Sequence, residues 1–166
     1  MLTTVERKRK TKKTRTVWER LWHDRSTMSL RFLQSMPSTL GAVEHVVDRT
    51  MEIIGQMGCA DGHGEAIEIS LREALINAIT HGNRQDPRKR VTVCCMCHPK
   101  RSILLIVRDR GQGFNPRKLP NPVSVRNIFS SHGRGIFLIR RFMDEVKFGR
   151  GGREIRMRKR PSRTTS

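Results

Sequence analysis

No stretch of this sequence approaches the roughly 18 apolar residues that a membrane-crossing helix requires, which excludes a transmembrane reading. The basic N-terminal region has no apolar segment behind it, so it does not read as a secretory signal. Cysteine is scarce, and three of the four crowd into Cys94-Cys95-Met96-Cys97. Neighbouring thiols on one strand cannot staple distant segments, so no disulfide framework is expected and a reducing cytoplasm is the default setting. The same cluster contains CxxC followed by His98. Strand alternation puts Cys94 and Cys97 on opposite faces, however, and no second ligand pair occurs elsewhere. These cysteines read as small buried hydrophobes rather than a zinc site. Acidic residues are also few, 15 Asp and Glu against 34 Lys and Arg. Neither a GxxxxGKS/T phosphate loop nor HRD and DFG signatures are present, which removes two common phosphoryl-transfer machines. There is no internal repeat.

What is present is a chain of 166 residues, 36% of them apolar, enough for one domain with helices packed on a sheet. The net charge of +19 would attract nucleic acid, acidic protein surfaces or anionic lipid. Much of it lies at the two ends, in Arg7 to Arg15 and Arg153 to Arg163. Residues 1–25 read as a basic, solvated and disordered tail, in which Trp18, Leu21 and Trp22 can form a short amphipathic turn. Weak nucleic-acid contact through this tail is the sharper reading, and no membrane contact is expected. The domain itself is expected over 26–160, with 161–166 as a second tail.

Alternation predicts a strand over Met28 to Ser35. Pro37 and Ser38 open a helix, with Ser38 as N-cap and a stripe of Leu40, Val43, Val47, Met51, Ile54 and Met57. A second helix is predicted from about Glu65 to His81, with Ile67, Leu71, Ala74, Leu75 and Ala78 facing the core. Two strands follow, Arg90 to Cys97 and Ser102 to Arg108. Residues 114–132 hold Pro116, Pro120 and Pro122 and read as a long mobile segment. Gly133 to Met143 is a glycine-led helix, and Val146 to Phe148 pairs with Glu154 to Met157 around Gly149 to Gly152. The sum is an α+β, two-layer sandwich: a mixed β-sheet with helices on one face.

Three short constellations carry chemistry. Ser70, Glu73, Asn77 and His81 form a polar stripe on the second helix, grouping a carboxylate, an amide and an imidazole. On its own this stripe reads as an ordinary polar helix edge. Asp109-Arg110-Gly111-Gln112-Gly113-Phe114 follows an apolar strand; its carboxylate can accept from an exocyclic amine, and its glycines let backbone approach a flat ring. His132-Gly133-Arg134-Gly135 precedes a helix whose first amides and dipole favour an anion. Each of these is weak alone.

Taken together and in this order, EALINAITHGN, DRGQGF and GRGIFLIRRFMDEV resemble the GHKL ATPase superfamily. Within it the HGN, the short lid and the FMDEV ending look most like the anti-sigma-factor serine/threonine kinases of partner-switching pathways. The motifs cover about half the chain, and the looser likeness runs from Leu30 to Met157. The resemblance implies a histidine-kinase-like ATPase fold that binds ATP with Mg²⁺. It implies Glu73 as general base, Asn77 as the Mg²⁺ ligand and Asp109 as acceptor for the adenine amine. Gly111 and Gly113 become walls of the base pocket, and Gly133, Arg134 and Gly135, with His132, the phosphate clamp. His81 and Asn83 match positions near metal and phosphates. A single amide ligand suits Mg²⁺, which keeps several phosphate and water oxygens.

The function so implied is a protein kinase that acts as an anti-sigma factor and phosphorylates an anti-sigma antagonist. Its partners would be those two proteins, and the resemblance suggests a homodimer. Two other readings stand beside it: an ATP-dependent sequestering module without useful turnover, and a nucleic-acid-associated ATPase motivated by the charge. The basic tail lies outside the family pattern, and residues 116–131 give no match that identifies a protein substrate.

Overall fold

The structure, a computed structural model, describes residues 30–60, 62–98, 102–115 and 131–161. The tail of residues 1–25 and the segment 116–130 lie outside these. Among the described residues, five strands and three α-helices occur in the order β1 Leu30–Pro37, α1 Val43–Gln56, α2 Gly64–Asn77, β2 Arg90–His98, β3 Ser102–Arg108, α3 Ser131–Phe142, β4 Glu145–Gly149 and β5 Glu154–Lys159. The sheet order is β1-β2-β3-β5-β4. The architecture is α+β, as the sequence predicts. No helix among the described residues is long and apolar enough to cross a membrane.

The sheet is not mixed: all four neighbouring pairs are antiparallel. The paired helices α1 and α2 carry the chain away and back, so β2 begins where β1 ends and Pro37 faces Arg90. Strands β3 and β4 each pair antiparallel with β5, so those two strands run the same way. They do not pair, because β5 returns from β4 and inserts between them. That insertion is a hairpin, closed by a short turn in which Gly151 takes φ 65° and Gly152 φ 87°.

The main core lies between the helices and one face of the sheet. From the helices it takes Val43, Val47, Ile54, Ile67, Leu71, Leu75 and Ile139; from the strands it takes alternate residues such as Val93, Cys95, Leu105, Val107 and Met157. These apolar positions recur at 3–4 residues on the helices and at two on the strands, so one face of each element is withdrawn from water. Lys159 Nζ donates to Phe142 O at 2.8 Å, satisfying a carbonyl at the end of α3.

Several local expectations are corrected. Ser38 does not cap α1: its hydroxyl is buried without a hydrogen-bond partner, and its N–H donates to Lys89 O at 3.2 Å. The helix is entered through a 3-10 turn, Leu40–Ala42, which rotates Leu40 out to 48% exposure. Ser70 leaves the polar stripe, buried with its hydroxyl donating to Ala66 O at 2.7 Å.

Cys59 and Cys97 form a disulfide, against the expectation of none. Neighbouring cysteines on one strand cannot staple distant segments, but a lone cysteine far away in sequence can reach one of them. Cys59 lies in the loop after α1, beyond Gly58 at φ 63°, and that loop brings it to the inner face of β2. Cys94 and Cys97 do lie on opposite faces of β2, and Cys95 is buried with its thiol pushed up to about 12 by burial.

Candidate nucleotide site

The site forms where the C-terminal end of α2, the loop after β3 and the β4–β5 turn meet. The α-helix stops at Asn77 and widens into a π-helical turn, Ala78–Gly82. Asn83 N–H reaches back five residues to Ala78 O at 2.8 Å, and Thr80 Oγ1 donates to Ile76 O at 2.6 Å. Such π turns often occur at functional sites, because the extra residue re-aims the side chains that follow. Here the widened turn delivers Gly82 to the loop that bears Asp109.

That approach depends on missing side chains. A Cβ on Gly82 would lie 2.5 Å from Asp109 Cγ, and one on Gly111 would overlap the Gly82 carbonyl. Gly111 therefore locks the loop to the helix end. Gly113 does line the cavity, at φ 77°. Phe114 N–H beside it donates to Gly151 O at 2.9 Å and ties the loop to the turn.

The resulting cavity has a volume of about 300 Å³, at the lower end of the range for small-molecule sites. Its walls are largely apolar, with Ala78, Val107, Ile136, Phe148 and Ile155 among them. Phe114 meets Phe148 edge to face with ring centroids 5.4 Å apart. Asp109 supplies a carboxylate to this apolar space. Its Oδ1 accepts from Gly111 N–H at 2.7 Å, while Oδ2 takes no hydrogen bond from the described residues. Burial raises the Asp109 carboxyl above its ordinary value, opposed by the Gly111 amide and by the charges of Arg153 and Lys89. A half-buried carboxylate with one open oxygen beside a flat apolar slot suits the edge of a planar amine-bearing ring.

Asn77 also lines the cavity, and its amide nitrogen is buried with no hydrogen-bond partner. Glu73, one turn earlier, stands outside the cavity lining. Both face Gly135 on α3: a Cβ there would lie 2.5 Å from Glu73 Oε2 and 3.0 Å from Asn77 Nδ2. The glycine thus brings α3 against both side chains, the acid one turn from the amide that lines the cavity. The helix begins at Ser131, so Gly133 and Gly135 fall within its first turns rather than ahead of it. By helix geometry the amides of residues 131–134 have no partner inside the helix, which leaves donors for an anion at this end. His132 and Gly133 belong to that turn, and Arg134 is exposed.

His81 is exposed yet lines the cavity. Asn83 does not. It is fully buried, with Nδ2 donating to Arg90 O at 3.2 Å and Oδ1 accepting from Arg110 N–H at 2.8 Å. It thereby holds α2, β2 and the Asp109 loop together. Two lining residues had no sequence signal. Phe148 sat within an ordinary strand pattern. Glu154 is buried to 1% exposure and ion-paired with Arg108, Arg150 and Arg156. A buried carboxylate needs such partners.

The residues present fit a nucleotide: an apolar slot with a carboxylate, an orphaned amide next to it, and glycines where Cβ atoms would block the approach. A search of curated proteins found no match to this chain. Residues 36–159 match the histidine kinase-like ATPase domain, which spans most of the 166 residues. The chain belongs to the histidine kinase-like ATPase domain family, with the ATP-binding function that membership implies.

Proposed function

We propose that this chain is an ATP-dependent serine/threonine protein kinase that serves as an anti-sigma factor and phosphorylates an anti-sigma antagonist in the cytoplasm. The observation that carries the kinase reading is the juxtaposition of Glu73 and Asn77 against Gly135, beside the cavity that Asn77 lines. A module that only bound ATP would need the amide but would have no use for a carboxylate one turn away. When bound, ATP supplies the phosphoryl group and Mg²⁺ neutralises its charge. Asp109 accepts from the adenine amine, and Asn77 would hold the metal. The amides at the start of α3, with Arg134, face the phosphates. Glu73 receives the proton of the incoming serine or threonine hydroxyl.

Partner choice rests on the motif resemblance, in particular HGN at 81–83 and FMDEV at 142–146. The sequestering reading draws on the position of Glu73 outside the cavity lining.

The test is incubation of the purified chain and its co-purifying protein with labelled ATP, for wild type and Glu73→Ala. Mg·ATP affinity should stay within a few fold while transfer slows by roughly 10²–10⁴. Transfer at the normal rate in the variant removes Glu73 from the mechanism. No transfer by either protein makes the sequestering module the better account.

A further inference from the structure

The Glu154 side chain is fully withdrawn from water at a point where three segments meet. It opens β5, in register with Arg108 at the end of β3 and with Gly149 at the end of β4. Arg108 Nε donates to its Oε2, Arg156 Nε donates to its Oε1 at 2.6 Å, and Arg150 Nε lies 3.5 Å from Oε2. A Cβ on Gly149 would lie 2.7 Å from Oε1, so glycine there leaves room for the carboxylate. Stability alone does not call for this cluster, since well-packed apolar residues commonly serve as well as a buried ion pair. The turn before Glu154 also has an unusual backbone. Arg150, Gly151 and Gly152 take φ of 51°, 65° and 87°, three successive residues in the left-handed region. Arginine is disfavoured there, and such a conformation persists only where its surroundings fix it. That turn is a wall of the cavity. Gly151 O accepts from Phe114 N–H at 2.9 Å, and Arg153 O accepts from Asp109 N–H at 3.1 Å. Gly152 lines the cavity, so near Phe114 that a Cβ would overlap the Phe114 carbonyl oxygen.

We infer that Glu154 is a positioning residue for base recognition: through Arg108 and Arg150 it pins the end of β3, and so Asp109, to the β4–β5 turn that walls the cavity. Arg108 directly precedes Asp109, so a shift of its backbone moves the carboxylate that accepts from the base amine. Arg150 is the first residue of the turn. One buried carboxylate bridging the two fixes the separation between the acceptor and the wall that carries Gly152. The Glu154 oxygens are engaged by arginines, so Glu154 acts through Asp109 and the turn, not as an acceptor of its own. The inference rests on the reading of Asp109 as the acceptor for the adenine amine, and adds to it what holds that acceptor in place.

The readout is discrimination between Mg·ATP and Mg·inosine triphosphate, whose base presents a carbonyl oxygen where adenine presents its amine. A site built around an acceptor rejects that oxygen. A residue that only stabilised the fold would lower both affinities together, whereas one that positions Asp109 lowers their ratio. In calorimetric titrations of the full chain, Glu154→Gln keeps the side-chain shape and loses the charge. It should compress the preference for ATP about tenfold, the worth of one charged hydrogen bond. Arg150→Gly is the second variant. Arg150 is 62% exposed and glycine adopts its backbone conformation freely, so the melting midpoint should not fall. The preference should still compress, about threefold, as suits a solvent-exposed ion pair. If Glu154→Gln does not fold, Arg150→Gly decides alone. The wild-type preference retained in a folded variant overturns the inference, as does an equal loss of both affinities. A wild type that binds the two nucleotides equally removes the Asp109 reading itself, and the inference with it.

Discussion

Glycines at the site differ in what they make room for, and the difference predicts different phenotypes. A Cβ on Gly111 would overlap a backbone carbonyl, that of Gly82, which cannot move without the π turn moving. A Cβ on Gly135 would meet the far end of Glu73, which can swing. Gly111→Ala should therefore lower stability by about 1–3 kcal/mol, the usual cost of overpacking, and ATP binding should fall with it. Gly135→Ala should leave the melting midpoint nearly unchanged and displace the Glu73 carboxylate. On the kinase reading it loses phosphoryl transfer while keeping ATP affinity. Paired thermal melts and ATP titrations separate the two; equal loss of stability in both variants would refute the distinction.

Among the secondary-structure elements, α2 and the β4–β5 hairpin were legible because their periods of 3.6 and two are uninterrupted. The π turn at Ala78–Gly82 was not, since an inserted residue changes no residue type and only tertiary contact with the Asp109 loop selects it. The amide contacts of Asn83 were not legible for the same reason: HGN marks a place beside the site without saying which groups the amide meets. The disulfide is also a tertiary fact, and it yields a prediction. Cys59 and Cys97 are 38 residues apart, and closing such a loop restricts the unfolded chain by about 4 kcal/mol in the chain-entropy model. Reduction should lower the urea midpoint accordingly, and Cys59→Ser should reproduce the shift without reductant. A midpoint indifferent to reductant would show that the bond contributes nothing. Cys95, its thiol raised to about 12, should stay unalkylated at neutral pH in the folded protein.

At the scale of the whole molecule, the charges beside the site include arginines set against two carboxylates, Arg153 near Asp109 and Arg108, Arg150 and Arg156 on Glu154. The excess of Lys and Arg gathers at the chain ends, while the cavity presents apolar walls and one open carboxylate. The antiparallel order β1-β2-β3-β5-β4 places the end of β3, with Asp109, beside the turn before β5, and Asp109 N–H donates to Arg153 O at 3.1 Å. The motifs in the sequence indicated which residues converge; the insertion of β5 that makes them converge was not legible, because strand order leaves no local trace. The position of Asp109 also sets a pH dependence. Its carboxyl is raised by burial, so acidification protonates it sooner than a free aspartate and removes the acceptor. ATP affinity should weaken as pH falls through that raised value, and hold steady above it.

Calorimetric titration of Mg·ATP into wild type and Asp109→Asn tests the central claim most directly, that this cavity reads adenine through Asp109. The amide presents a donor where an acceptor is required and leaves the amine unpaired, at a cost of about 2–4 kcal/mol. Affinity should fall about 30- to 900-fold, and the residual binding should lose its dependence on acidic pH. Equal affinity in the two proteins, with the same pH profile, would contradict the account.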